Sequence, residues 1–159
     1  MRRKDREITD LNEILEIMKK CDVCNIAFFD EEYPYIIPMN FGFSNQGEQL
    51  ELYFHCAKAG KKLDLLRANS KVGFEMDCSH NLIIEELDCE CTMEFESICG
   101  NGTIEILPDD QKINALSQLM KQYKEVPAHN FNEKYVNAIE MLKLTVNDIT
   151  GKRLRRNHG

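Results

Sequence analysis

The chain has 159 residues and carries 20 Lys+Arg against 27 Asp+Glu, a formal charge of −7. This length makes one domain with a core that needs no disulfide support, and 43% hydrophobic with 30% charged residues excludes wholesale disorder. Net acidity argues against a nonspecific nucleic-acid binder, which needs cationic surface to release phosphate counterions, and no run reaches the roughly 18 apolar residues of a membrane helix.

The start, Met1-Arg2-Arg3-Lys4-Asp5-Arg6, is basic but leads into an amphipathic segment rather than an apolar signal core, so the expected location is cytoplasmic. Ile8, Leu11, Ile14, Leu15 and Met18 fall at helical spacing, with Thr9 or Asp10 as cap, and predict a helix over about 9–20. Residues 24–29 then read as a strand, Asp30-Glu31-Glu32 as a turn, and 33–43 as a second strand. Ser44 to Glu48 is a turn, and 49–55 a third strand. Two successive hairpins mean an antiparallel meander.

A short helix carrying Leu63, Leu65 and Leu66 follows and closes at Asn69-Ser70. Lys71 to Cys78 is a fourth strand, and Ser79 to Asp88 reads as a polar connection. Cys91 to Leu107 is long and extended, bent or broken near Gly100-Asn101-Gly102, where glycine permits a bulge. Pro108-Asp109-Asp110 opens a helix whose stripe is Ile113, Leu116, Leu119, Met120 and Tyr123. A loop at 126–130, a short helix near 132–139 and a last strand with Leu142, Leu144 and Val146 alternating complete the chain. The expectation is a single domain over 1–159, with a basic tail from about residue 152. About six antiparallel strands with peripheral helices suggest a closed or nearly closed barrel, since closure removes exposed strand edges.

Seven cysteines, an odd number without a secretion signal, do not make a disulfide framework. Cys21-x-x-Cys24 and Cys89-x-Cys91 together offer four thiolates for zinc. Against that, Cys21 sits at a helix end, Cys24 opens an apolar strand, and neither pair lies in a glycine-containing knuckle. The order helix-then-strand around Cys21 and Cys24 is also the reverse of a thioredoxin-type motif. Reduced thiols used as small core hydrophobes are the expectation, and no metal site.

The most informative segment is Leu52-Tyr53-Phe54-His55-Cys56-Ala57-Lys58-Ala59-Gly60-Lys61-Lys62. A strand feeds a small-residue loop that opens a helix with two adjacent lysines. Free N–H groups at a helix start favour an anion, and Lys61 and Lys62 add full charges, which suits a phosphate monoester. The Walker pattern is absent. A solvated lysine pair on an exposed helix is the plainer alternative. The second signal is Pro34-Tyr35-Ile36-Ile37-Pro38-Met39-Asn40-Phe41-Gly42. Pro38 cannot donate a ladder hydrogen bond, so it marks an edge or interruption, leaving backbone groups nearby for a planar heteroaromatic ligand. It can equally do no more than end the pairing.

Taken in order, the helix, Tyr-Pro-x-x-x-Pro-x-Asn-Phe-Gly, Leu-Tyr-Phe-His-x-Ala, Gly-Lys-Lys and Phe-Glu-Met-Asp resemble the FMN-binding split-barrel proteins. More narrowly they are similar to the pyridoxamine 5'-phosphate oxidase-related branch that contains nitroimidazole-resistance (Nim) proteins. The resemblance runs over about residues 7–153, through Phe95-Glu96-Ser97-Ile98 and Gly102-Thr103-Ile104-Glu105 to Ile149-Thr150-Gly151-Lys152. It implies a mainly β fold with peripheral helices, a six-stranded antiparallel split β-barrel, forming a homodimer with one FMN in each of two clefts at the subunit interface. It further implies that Pro38, Met39, Asn40 and Phe41 line the isoalloxazine edge and that His55, Cys56 and Ala57 lie beside the ribityl chain and ring. Lys61 and Lys62 stand where the family binds the phosphate, Ser97 where a residue reaches the flavin of the partner subunit, and Lys152 at a more variable tail position. Lys61 replaces a frequent arginine, giving up the planar fork and keeping charge. No set of residues for binding pyridoxal phosphate is recognisable, so vitamin B6 oxidation is not the expectation.

The implied activity is that of an oxidoreductase passing electrons from reduced nicotinamide, or another donor, to a small acceptor such as a nitro or quinone-like compound. His55 is the candidate catalytic residue, since imidazole changes charge near neutral pH, with a structural histidine as its alternative. His80, His129 and His158 fall in polar loops or the tail and carry no expected chemistry. The alternative function is a noncatalytic flavin- or haem-binding module, with His55 as haem-ligand candidate.

Overall fold

The computed structural model describes residues 3–47, 49–124 and 130–156, and Asp88 by its backbone alone. The loop expected at 126–130, His129 and His158 therefore lie wholly or largely outside the described residues. Asp10 supplies the first helix start: its Oδ1 accepts from the Glu13 N–H at 3.0 Å, satisfying one of the free donors of α1 (Leu11–Met18). Ile14, Ile17 and Met18 bury one face of that helix. Before it lies the two-residue strand β1 (Glu7–Ile8).

The remaining strands are β2 (Cys24–Phe28), β3 (Tyr35–Met39), β4 (Gly42–Gln46), β5 (Gln49–Ala57), β6 (Lys71–Ile83), β7 (Thr92–Ile106) and β8 (Ile139–Leu154). Helices α2 (Lys61–Ala68), α3 (Lys112–Lys121) and α4 (Glu133–Val136) lie between them. All strands join one antiparallel sheet in the order β3-β2-β6-β7-β8-β5-β4, with β1 on β8. The two ends of that order, β3 and β4, are consecutive in the chain and separated only by Asn40 and Phe41. Three Cα–Cα steps reach roughly 11 Å at most, so the sheet must curl until its ends nearly meet. The sheet is nevertheless not closed: β3 pairs with β2 and β4 with β5. The result is a barrel split between β3 and β4.

The curl faces alternate side chains inward. Ile26, Phe28, Phe41, Leu52, Phe54, Phe74, Met76, Ile98, Ile104 and Leu144 form the interior with α1 and α2 residues. A smaller cluster of Tyr53, Leu107, Ala115, Leu119 and Met141 seats α3 on the outside of β5. Gly42 is required there: a Cβ would stand 2.3 Å from the Gln118 carbonyl oxygen and the Leu119 Cα.

The mainly β fold with peripheral helices agrees with the expected split barrel, and several boundaries move. The strand expected over 33–43 divides at Asn40-Phe41, which with β1 brings the sheet to eight strands. Ser79 to Asp88 is not wholly a connection: β6 continues to Ile83, across a register shift between Cys78 and Asn81, because Asn81, Leu82 and Ile83 still find partners on β7. The turn expected over 44–48 shortens, since β4 extends to Gln46. The long strand is irregular where expected: a register shift at Asn101/Gly102 interrupts its pairing with β8 without ending it. The basic tail is partly strand, as β8 runs to Leu154 and Arg153 reaches inward to Glu96. The stripe of α3 is turned: Lys112, Ala115 and Leu119 are buried while Ile113 is exposed. Lys112 enters because its ammonium donates to the Ile139 carbonyl at 2.8 Å and pairs with Asp109 and Glu140. Ile139 and Glu140 lie far along the chain, so no sequence period reveals that Lys112 is buried.

Candidate functional site

The start of α2 is open to an anion. Gly60, at the cap position, has φ 140, a conformation that favours glycine, and no side chain caps the helix. Nothing lies within 4 Å of where its Cβ would stand. The first N–H groups of α2 therefore sit beside Lys61 and the half-buried Lys62, with small residues around them. Lys62 lies close enough to the buried Cys56 thiol to favour its ionisation, although burial dominates and pushes that thiol up.

Lys61 ties this corner to the split. Its ammonium pairs with Asp30 at 2.6 Å, in the turn between β2 and β3, and lies 5.2 Å from the Tyr35 ring centroid at the start of β3. The Asp30 hydrogen bond holds the Lys61 pKa up, and the same bond holds the Asp30 carboxyl down. Asp30 and Tyr35 were not among the sequence candidates. Asp30 is one of three acidic residues in that turn, and nothing local marks it as the one that meets Lys61. An open cleft of about 420 Å³ adjoins this turn, with Ala27, Phe29, Pro34 and Gly73 in its wall. Asp30, Glu31 and Glu32 on its rim disfavour a phosphate there, which leaves the α2 start as the anion-favouring side.

From Tyr35 the edge strand β3 leads through Pro38, opposite Asn25, to Met39, Asn40 and Phe41. Pro38 thus stands on an edge strand, where its missing N–H breaks no interior ladder. Asn40 donates its side-chain amide to the Asp22 carbonyl at 3.0 Å. Phe41 is fully buried, and its N–H donates to the Tyr123 hydroxyl at 2.9 Å, which itself donates to the Asp22 carbonyl at 2.8 Å. Tyr123, expected as a packing residue of α3, is a latch across the split.

On β5, Cys56 points inward and is buried, whereas His55 and Ala57 point outward and are exposed. Ser97 and Lys152 are direct cross-strand partners on β7 and β8, with Asp77 opposite Ser97 on the other side. Lys152 lies 5.2 Å from the Phe95 ring centroid. Two strands, β2 and β6, separate Ser97 from β3, roughly 14 Å at the spacing of a sheet. One subunit therefore gathers Lys61, Lys62 and Cys56 at the α2 corner and Pro38 to Phe41 along the adjoining edge. It does not bring Ser97 and Lys152 to them. His80 pairs with Asp77 at 2.6 Å. Cys21, Cys24 and Cys56 are buried, Cys78 and Cys91 half-buried, Cys89 and Cys99 exposed, and all are free thiols. Among the described residues no three His, Cys, Asp or Glu side chains are grouped to hold a metal ion.

Residues 10–153 match the family described as pyridoxamine 5'-phosphate oxidase. The chain belongs to that family. Among solved structures it is similar to a candidate 5-nitroimidazole antibiotic resistance protein from Bacteroides thetaiotaomicron, with 29% identity and a TM-score of 0.79, over 92% of this chain and 86% of that one. It is also similar to the FAD and heme binding protein from Mycobacterium smegmatis, with 18% identity and a TM-score of 0.80, covering 95% and 74% of the two chains. The flavocytochrome Anf3 from Azotobacter vinelandii matches at 15% identity and a TM-score of 0.76, covering 99% and 75%. The last two likenesses concern the fold. No curated protein matches the sequence. Among the described residues of this family member, no helix is long and apolar enough to cross a membrane.

Proposed function

We propose that the chain is an FMN-binding flavoprotein and an oxidoreductase of a small acceptor, working in the cytoplasm as a homodimer with its cofactor sites at the subunit interface. The observation that carries this reading is the uncapped start of α2, with Gly60 open above it and Lys61 and Lys62 beside it, joined through Asp30 and Tyr35 to the free edge β3. Membership of the family and the likeness to a candidate nitroimidazole resistance protein support it.

The residues present fit such a group. Lys61 and Lys62 with the first N–H groups of α2 would hold the phosphate, and Pro38 to Phe41 would border the ring system, with His55, Cys56 and Ala57 beside it. Bound FMN would supply the transfer of a hydride or electrons between a reduced nicotinamide, or another donor, and a nitro or quinone-like acceptor. The chain's own task is position and charge. Tyr123 holds the Phe41 backbone in place, and the exposed imidazole of His55 is free to give or take a proton at its ring nitrogen as the acceptor changes charge. Ser97 and Lys152 lie on a broad outer face of β6, β7 and β8 too far from β3 to serve their own subunit. They serve the second copy's site, which is why the proposal includes a homodimer.

A second reading, a noncatalytic flavin- or haem-binding module, is favoured by the exposed position of His55 and by neighbours named as an FAD and heme binding protein and as a flavocytochrome. The absorbance spectrum of the purified chain, with mass identification of the released ligand, tests both. Flavin bands, released FMN and nicotinamide consumption with a nitro acceptor support the oxidoreductase. Flavin without turnover supports the binding module, a Soret band supports haem, and a chain that takes up no flavin from added FMN overturns the proposal.

A further inference from the structure

Cys21 and Cys78 are 57 positions apart, yet the fold places both sulfurs on one carbonyl oxygen. Cys21 follows the end of α1, Cys78 faces inward from β6, and the two elements pack together. The Cys21 thiol donates to the Ile17 carbonyl at 3.4 Å and the Cys78 thiol to the same oxygen at 3.9 Å. Their exposure differs: Cys21 is buried and Cys78 half-buried. The surroundings of Cys78 are polar. Ser79 Oγ lies 3.6 Å from its sulfur and Glu96 Oε2 4.0 Å, and Lys20, Arg153 and Arg155 all converge on Glu96. Ser79 has φ 59, an uncommon conformation for a residue with a side chain, and starts the register shift between Cys78 and Asn81. A bulge at that point loosens the ladder, so β6 can adjust locally where a cross-link would pull on it.

We propose that Cys21 and Cys78 are a paired oxidation site, two thiols that a hydroperoxide converts into a disulfide joining the end of α1 to β6. In the first step the Cys78 sulfur attacks one peroxide oxygen. The S–O bond forms, the O–O bond breaks, and the leaving oxygen takes the proton given up by the thiol. With hydrogen peroxide the products are a sulfenic acid and water. In the second step the Cys21 sulfur attacks the sulfenic sulfur, the S–S bond forms, and the departing hydroxide takes the Cys21 proton as a second water. Two thiols thus lose two electrons and one peroxide gains them. The division of roles follows from the surroundings. Burial, and then the neighbouring Cys78, push the Cys21 thiol up, which keeps it protonated and out of the first step. Cys78 is the sulfur that a small oxidant can reach. The site stands apart from the flavin reading and does not depend on it.

The test treats the full chain with equimolar hydrogen peroxide, blocks remaining thiols by alkylation, and maps a non-reducing digest by mass spectrometry. The expected result is a Cys21–Cys78 linked peptide that a dithiol reductant removes, together with a rise in Tm because the cross-link closes a long loop of the unfolded chain. Cys21→Ser should lose the linked peptide and leave Cys78 labelled by a sulfenic-acid-specific dione, while Cys78→Ser should lose both. Circular dichroism establishes that each variant is folded; if either is not, the wild-type digest decides alone. A folded wild-type chain in which Cys78 is oxidised to sulfinic acid while Cys21 remains alkylatable, or in which only other cysteines become linked, overturns the proposal.

Discussion

Glu96 is the sharpest place to perturb this fold. It is buried on β7, and its two oxygens take four nitrogen and hydroxyl donors, besides the longer contact from the Cys78 thiol: Arg153 Nε at 2.6 Å and Arg155 at 2.8 Å on one, Lys20 Nζ at 2.7 Å and Ser79 Oγ at 2.9 Å on the other. Glu96→Gln keeps the shape but turns one acceptor into a donor pair facing two donors. Breaking a buried ion pair costs about 3–5 kcal/mol. Lys20 and Arg155 are 42% and 60% exposed and can turn to water, while Arg153 retains Glu13 at 2.7 Å, so the expected loss falls to roughly 2–3 kcal/mol. Urea unfolding at neutral pH, read as a lower midpoint at unchanged slope, measures it. The pH dependence gives a second reading. Burial alone would raise the Glu96 carboxyl, but the hydrogen bonds from Lys20, Arg153 and Ser79 outweigh it and hold the group at about 2, below its ordinary 4.5. A depressed carboxyl contributes fully above its unfolded value and loses that contribution as the pH falls through the folded one. The gap between wild type and Glu96→Gln should therefore be constant above about 4.5 and close towards about 2. A loss under about 1 kcal/mol at neutral pH, or a gap that persists at the acid end, refutes the reasoning.

Lys61→Ala with Lys62→Ala should weaken FMN binding by roughly tenfold or more while leaving riboflavin nearly unaffected, because only the phosphate loses its partners; fluorescence titration with both ligands checks it, and equal weakening of the two counts against the assignment. Ser97→Trp should leave the barrel folded yet lower flavin occupancy by intruding on the second copy's site, and full occupancy in a folded dimer contradicts that placement. Gly42→Ala should cost about 1–3 kcal/mol, because its Cβ would press on the Gln118 and Leu119 backbone of α3; urea unfolding with a change below about 0.5 kcal/mol would show that α3 moves aside freely.

What could be read from the sequence follows a physical divide. Periodicity found α1, α2, β2, β5 and the inward Leu142-Leu144-Val146 run, because each buries one face in its own local rhythm. It joined β3 to β4, since Phe41, one residue past the polar Asn40, resumes the apolar run even though the two residues carry the chain from one sheet end to the other. It missed the last residues of β6 because Ser79, His80 and Asn81 are polar and Leu82 is exposed, so the solvated hairpin has no buried face to announce it. The α2 corner was legible from Gly60, Lys61 and Lys62 in a row. Asp30, Tyr35 and Tyr123 were not, because their roles rest on distances set by the curl of the sheet. Glu96 lay inside a recognised segment, but its nitrogen and hydroxyl partners come from just beyond α1, from the β6 bulge, and from the far end of β8 and the residue after it.

Everything in the proposed function depends on the start of α2 taking the phosphate of a flavin. A crystal structure of the chain grown with FMN tests it most directly. The phosphate should lie on the first N–H groups of α2, with Lys61 Nζ turned from Asp30 towards it and Ser97 of a second copy facing the ring. Phosphate bound elsewhere, or an α2 start left bare with Lys61 still on Asp30 at saturating FMN, would contradict it.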